Sequence, residues 1–95
     1  MTENQLQSKI LKWLRSKGAY VIKTQPGAGT PTGCPDIIFL KEGFWGAIEV
    51  KKFNTSKFQP LQEVTITKLN DWSWCVVAYP ENWSDIKQQL QTMLD

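Results

Sequence analysis

Histidine is absent from this 95-residue chain, and cysteine is scarce, with only Cys34 and Cys75. The missing histidine excludes Ser-His-Asp catalysis, Cys-His catalysis and histidine-ligated zinc. Two cysteines far apart in the sequence are too few for a zinc site, so we expect reduced thiols in a core. Any chemistry must therefore come from carboxylates, lysines, hydroxyl groups or a hard metal ion.

Long apolar runs are also missing. No segment approaches the roughly 18 residues that span a bilayer, and the polar start, MTENQLQSK, lacks the apolar stretch of a signal peptide. We therefore expect a cytoplasmic protein that acts away from membranes. With 41% hydrophobic and 21% charged residues, residues 1–95 suit one globular domain. A net charge of +2 permits nucleic-acid binding without arguing for it.

Apolar spacing predicts the order helix, strand, strand, strand, helix, strand, helix, and a mixed sheet flanked by helices is the compact solution. The predicted bounds are 2–17, 19–23, 37–40, 44–51, 60–70 and 74–79, with a last helix capped by Ser84. Thr2 and Gln5 form a capping-box pattern at the first helix. In the second helix, opened by Pro60, we expect Leu61, Val64 and Leu69 to face inward.

The segment 25–33 (QPGAGTPTG) has no apolar period and is predicted to be a loop. It is not a phosphate-binding P-loop, because no Gly-Lys-Ser/Thr follows, and the glycine spacing does not fit a dinucleotide fingerprint. We expect no organic cofactor, and we interpret this segment as a flexible loop.

The predicted hairpin places two carboxylates opposite each other. A two-residue turn at Glu42-Gly43 pairs residues whose numbers sum to 85, which puts Asp36 opposite Glu49. A four-residue loop gives the same pairing, whereas a three-residue loop leaves the carboxylates diagonal. Directly opposed like charges destabilise a sheet, and these two lie within apolar strands. A divalent cation such as Mg²⁺ or Mn²⁺ would neutralise them.

Three further polar residues are candidates for the same site. Lys51 shares a strand face with Glu49 and would stabilise charge on a phosphate, although a plain salt bridge is the simpler reading of Glu-x-Lys. Glu3 lies on the inward stripe of the first helix, but a first-turn glutamate is also favoured by the helix dipole. Gln62 begins the second helix, where a surface glutamine is the default.

Together these residues resemble a known motif. Pro35-Asp36, twelve intervening residues and Glu49-Val50-Lys51 resemble the PD-(D/E)xK nuclease motif. The similarity to its VRR-NUC branch, in its small stand-alone phage and bacterial form, extends over nearly the whole chain. It rests on Glu3, Leu6, Ile10, Gly33 and Pro60-Leu61-Gln62.

The resemblance implies a restriction-endonuclease-like core and metal-dependent hydrolysis of DNA phosphodiesters. Asp36 and Glu49 would ligate Mg²⁺ or Mn²⁺, with the Val50 carbonyl as a further ligand. Lys51 would lie beside the attacking water and the scissile phosphate. Glu3 would complete or extend the metal site, and Gln62 would support it from the second helix.

Small relatives of this kind often form homodimers that cut branched DNA such as four-way junctions. This chain carries one arginine, and we expect no appended DNA-binding domain, so substrate selection would come from dimer geometry or from lysines. The candidate phosphate contacts are Lys9, Lys12, Lys23, Lys52 and Lys57. Four alternatives stay open: a non-catalytic DNA-binding or assembly module, an interaction domain with a structural ion-pair cluster, a flap- or end-directed nuclease, and a nuclease acting on RNA.

Overall fold

A computed structural model describes residues 1–27 and 29–95. Its elements are α1 (Glu3–Ser16), β1 (Tyr20–Lys23), β2 (Ile37–Lys41), β3 (Phe44–Val50), α2 (Gln62–Trp72), β4 (Cys75–Ala78) and α3 (Trp83–Leu94). The predicted α/β class and element order are confirmed. No helix in the described part of the chain is long and apolar enough to cross a bilayer.

The four strands form one mixed sheet in the order β1-β2-β3-β4. Strands β1, β2 and β3 are antiparallel neighbours, while β4 runs parallel to β3 after the α2 crossover. The turn between β2 and β3 has two residues, and its Gly43 has a φ of +78°, a conformation that favours glycine. Lys41 therefore pairs with Phe44, and Ile37 with Ile48, which confirms the predicted register.

The core lies between one face of the sheet and the helices α1 and α3. Because side chains alternate along a strand, Ile37 and Phe39 of β2 and Ile48 and Val50 of β3 point into this core. Glu49 points to the opposite face, where α2 packs against β3 and β4. The sheet thus separates the main hydrophobic core from the face that carries Glu49.

The start of α1 is fixed by the predicted capping box. The Thr2 hydroxyl accepts the Gln5 N–H at 3.1 Å, and the Gln5 side chain accepts the Thr2 N–H at 2.8 Å. Two of the unpaired donors at the helix start are satisfied in this way.

The prediction for the start of α2 is wrong. The helix begins at Gln62 instead of Pro60, and Leu61 precedes it in the left-handed conformation, with a φ of +70°. Leu61 and Val64 are exposed instead of inward-facing, Leu69 is half-buried, and Gln62 is the buried residue of this helix. The inward position goes to a polar residue because a polar site lies beneath it.

The start of α3 also differs from the prediction. Asn82, not Ser84, precedes the helix. The Asn82 side chain accepts the Tyr79 N–H at 2.8 Å and donates to the Val77 carbonyl at 2.9 Å. These bonds tie the end of β4 to the start of α3, a tertiary role that capping statistics do not register.

Candidate active site

Asp36 directly precedes β2 and stands opposite Glu49, one position beyond the Ile37–Ile48 pair. Its Oδ2 accepts the Val50 N–H at 2.9 Å, so the carboxylate is bound to the backbone of the neighbouring strand. The register of the hairpin therefore brings the two predicted acidic residues together, as the sequence arithmetic requires.

The second carboxylate lies in a closed network of hydrogen bonds. Glu49 is only 2% exposed. Its Oε2 accepts a hydrogen bond from Nε2 of Gln62 at 3.0 Å and lies 3.3 Å from Nζ of Lys51. The same lysine donates to Oε1 of Gln62 at 3.2 Å, and that oxygen also accepts the Gln59 N–H at 2.9 Å. Gln62 thus bridges Glu49 and Lys51, and its supporting role at the site stays a prediction.

Burial perturbs both carboxyl groups. It raises the pKa of Glu49 to about 7, with the negative charge of Asp36 acting in the same direction and Lys51 opposing both. Burial also raises the pKa of Asp36, although the Val50 N–H and the charge of Lys51 lower it in part. Paired acids with raised pKa values mark this position as a candidate functional site.

The donor set fits a divalent cation. Oε1 of Glu49 is buried and has no hydrogen-bond partner among residues 1–27 and 29–95, which is costly for a carboxylate oxygen unless something else binds it. Two opposed carboxylates supply the hard oxygen ligands and the negative charge that Mg²⁺ and Mn²⁺ require. Asp36, Glu49 and the Val50 carbonyl are the groups that would hold the ion.

Glu3 is not brought into this group. It is exposed in the first turn of α1. Among residues 1–27 and 29–95, no three Asp, Glu, Cys or His side chains lie close enough together to hold a metal ion. Its predicted part in the metal site therefore stays a prediction.

A cleft of about 610 Å³ opens beside the carboxylates. Thr24, Asp36 and Gln62 line it, together with residues 26–27 and 30–34 of the predicted loop. Ala28 of that loop lies outside the described residues. The half-buried Cys34 faces this cleft instead of the core, whereas Cys75 is buried, and both thiols are free.

Gly33 lets the loop approach the start of α2. A Cβ atom at this position would lie 2.9 Å from the carbonyl carbon and oxygen of Leu61, closer than real contacts allow. Its φ of +85° also disfavours any other residue. The close approach forms the wall of the cleft and holds the segment before β2 against the helix that carries Gln62.

The candidate DNA-binding lysines fall into two groups. Lys23 ends β1, pairs with Ile37 beside the site, and its positive charge lowers the pKa of Asp36 slightly. Lys52 and Lys57 are exposed in the segment that follows β3. Lys9 and Lys12 are exposed on α1, along a shallow groove of that helix.

Sequence reasoning missed two supporting residues. The Thr24 N–H donates to the Asp36 carbonyl at 2.9 Å, and its hydroxyl donates to the Pro35 carbonyl at 2.7 Å, which holds the segment before β2. The residue numbers of each pair between β1 and β2 sum to 60, so the same register places Thr24 opposite Asp36. The centre of the Phe58 ring lies 5.3 Å from Nζ of Lys51, and no local sequence pattern predicts that contact.

No family model and no curated protein matches this chain, so the VRR-NUC resemblance stays a prediction. Among solved structures, the chain is similar to Hjc of Archaeoglobus fulgidus, a Holliday junction resolvase from an archaeal hyperthermophile. The TM-score is 0.58 at 19% identity, over 81% of this chain and 69% of the resolvase chain. At that identity the likeness concerns the fold, and it confirms the predicted restriction-endonuclease-like core.

Proposed function

We propose that this chain is a Mg²⁺- or Mn²⁺-dependent endodeoxyribonuclease that cuts branched DNA, such as a four-way junction, as a homodimer. The observation that carries the proposal is the opposed pair Asp36 and Glu49, with Lys51 3.3 Å from Glu49 and one buried Glu49 oxygen unpartnered. The shared fold with a Holliday junction resolvase supports the substrate class.

Each residue has a defined part in the proposed reaction. Asp36, Glu49 and the Val50 carbonyl would hold the cation, which would supply Lewis acidity and lower the pKa of a water molecule. Gln62 donates a hydrogen bond to Oε2 of Glu49, which leaves Oε1 available as a metal ligand. The ammonium group of Lys51 donates to a phosphate oxygen and stabilises the negative charge that builds up as water attacks.

The surroundings suit a nucleic-acid backbone. The cleft beside Asp36 would admit the scissile strand, and Lys23, Lys52 and Lys57 would contact phosphates on either side. Lys9 and Lys12 would contact a more distant arm of the DNA. Glu3 is proposed as an additional carboxylate that extends the metal site.

An apolar patch supports the dimer. Tyr20, Ile22 and Leu40 are exposed on neighbouring strands, and Tyr20 pairs directly with Leu40. Alternation puts them on the sheet face where α2 packs, yet α2 lies against β3 and β4. Contiguous exposed apolar residues of this kind favour burial by a partner. Leu40→Glu should convert the dimer to a monomer in sedimentation velocity, and an unchanged sedimentation coefficient would place the contact elsewhere.

The test is cleavage of a labelled four-way junction beside linear duplex, flap, single-stranded DNA and RNA, in Mg²⁺, Mn²⁺ or EDTA. Asp36→Asn and Lys51→Ala should abolish cutting while the protein stays folded and still binds the junction. Glu42→Gln, in the exposed turn at the far end of the hairpin, and Lys87→Ala, in α3 across the sheet, are the matched controls.

Each alternative has its own outcome. Junction binding without cutting in either metal would support a non-catalytic module. The absence of salt-dependent DNA binding would support an interaction domain with a structural ion-pair cluster. Cutting confined to flaps, ends or RNA would keep the nuclease and change its substrate, and full activity of Asp36→Asn or Lys51→Ala would refute the site.

A further inference from the structure

An exposed aromatic residue lies beside the candidate active site and has no part in the core. Phe53 is 52% exposed and follows Lys51 by two residues. A single exposed apolar side chain is ordinary. The Phe53 ring, however, belongs to a hydrogen-bonded turn and lies next to a lysine, so it is positioned to contact a ligand.

The backbone of residues 53–56 forms a turn closed from both sides. The Phe53 N–H donates to the Ser56 hydroxyl at 3.0 Å, and the Ser56 N–H donates back to the Phe53 carbonyl at 3.1 Å. Nζ of Lys52 lies 5.3 Å from the centre of the Phe53 ring. The turn thus offers solvent an aromatic face and a positive charge together.

The position of this turn limits what it can meet. Two residues span at most about 7 Å of chain, so the backbone of Phe53 lies within that distance of the backbone of Lys51, which would hold the scissile phosphate. Bases inside an intact duplex are stacked on one another and show only their edges in the grooves. An aromatic face can stack on a base only where the stack is interrupted, at a branch point, a gap or a single strand.

We infer that Phe53, supported by Lys52, stacks on an unstacked base next to the scissile phosphate and so directs cutting to branched DNA. The inference rests on the proposed nuclease function and adds the residue that recognises the branch. Lys52 contributes a phosphate contact that is indifferent to DNA structure, whereas the Phe53 ring discriminates between branched and continuous duplex.

The chain contains a matched control. Trp72 is 65% exposed and carries Nζ of Lys68 at 5.0 Å from its ring, so it also presents an aromatic face with a lysine. It ends α2, ten residues beyond Gln62, or about 15 Å away at 1.5 Å per residue. Trp72→Ala therefore removes an equivalent group away from the site.

The experiment measures affinity for a four-way junction and for a linear duplex of the same sequence, in Ca²⁺ to prevent cutting, and then cleavage in Mg²⁺. Phe53→Ala should weaken junction binding by about tenfold and leave duplex binding nearly unchanged. Phe53→Trp should keep the preference for the junction, and Trp72→Ala should behave as wild type. A 2-aminopurine base at the branch point should respond to wild type, to Phe53→Trp and to Trp72→Ala, and should not respond to Phe53→Ala.

Three results would overturn the inference. These are equal losses on junction and duplex, a loss in Trp72→Ala as large as in Phe53→Ala, or a change in oligomeric state of Phe53→Ala, which would place the ring in a protein interface. If wild type neither binds nor cuts any DNA, the proposed function itself fails. A fourth result, a wild type that cuts junctions while Phe53→Ala keeps full selectivity, would refute the role of Phe53 and leave the proposed function standing.

Discussion

Asp36→Asn should stabilise the metal-free protein at neutral pH, although it removes a group essential to the proposed reaction. The asparagine oxygen can still accept the Val50 N–H that Asp36 accepts at 2.9 Å. The substitution removes the negative charge opposite Glu49, whose Oε1 has no partner to compensate for its burial. The protein should therefore become more stable in the absence of metal and lose its response to metal.

The magnitude follows from the pKa of Glu49. An acid whose pKa is raised in the folded state binds its proton more tightly there, so stability is lost as pH rises through the interval between the two pKa values. For Glu49 that interval runs from 4.5 to about 7, and it corresponds to about 3 kcal/mol. Burial is the largest cause and Asp36 the second, so Asp36→Asn should recover about 1 kcal/mol, which raises the melting temperature by about 4–8 °C.

Thermal unfolding followed by circular dichroism, in EDTA between pH 4.5 and 8.5, tests this reasoning. The difference between Asp36→Asn and wild type should be small at the acid end, grow up to about pH 7 and then stay constant. Glu42→Gln serves as the exposed control. Added Mn²⁺ should raise the melting temperature of wild type and not of Asp36→Asn. A wild type whose stability is constant or rises between pH 5 and 7 relative to the variant would refute the opposed-charge argument.

Three further predictions concern the supporting residues. Gln62→Leu removes the amide that bridges Glu49 and Lys51 and should lower the free energy of unfolding by about 1–3 kcal/mol, measured by urea denaturation. An unchanged urea midpoint would contradict a stabilising role for this bridge. Phe58→Leu removes the aromatic ring near Nζ of Lys51 and should lower kcat about 3- to 10-fold with KM little changed, whereas Phe58→Tyr should keep the wild-type kcat. A rise in KM with kcat unchanged would indicate a role in DNA binding instead. Lys41→Met removes an ammonium group that donates to backbone carbonyls at the C-terminal ends of the first and third helices. It should lower the free energy of unfolding by about 1–3 kcal/mol without altering cleavage at temperatures where the variant is folded. A large drop in cleavage activity at those temperatures would contradict this separation from the site.

The hairpin could be predicted because its register depends on local chemistry. Glu42 and Gly43 specify a two-residue turn, and apolar strands on both sides resist a slip that would turn their side chains outward. Once the turn is fixed, the position of Asp36 opposite Glu49 follows by counting. The same counting, applied to β1 and β2, would have added Thr24.

The second helix could not be predicted in the same way. Pro60 and the apolar spacing favour a helix start and an inward face that the structure does not adopt. Gly33 packs against the Leu61 carbonyl, and Gln62 is drawn inward by Glu49 and Lys51. Both contacts join residues far apart in sequence, so local periodicity carries no signal for them.

The opposed carboxylates, Glu49 buried and Asp36 half-buried, tie the stability of the fold to its proposed ligand. About 3 kcal/mol, the cost that remains after the offsetting contacts have acted, is a large part of the 5–15 kcal/mol that holds a typical domain together. The Val50 N–H, Lys51 and Gln62 provide these contacts for one oxygen of each carboxylate, while Oε1 of Glu49 has none. A cation that binds this oxygen relieves a strain that exists only in the folded chain. Metal binding should therefore favour folding, because the unfolded chain separates Asp36 from Glu49 and offers no such site.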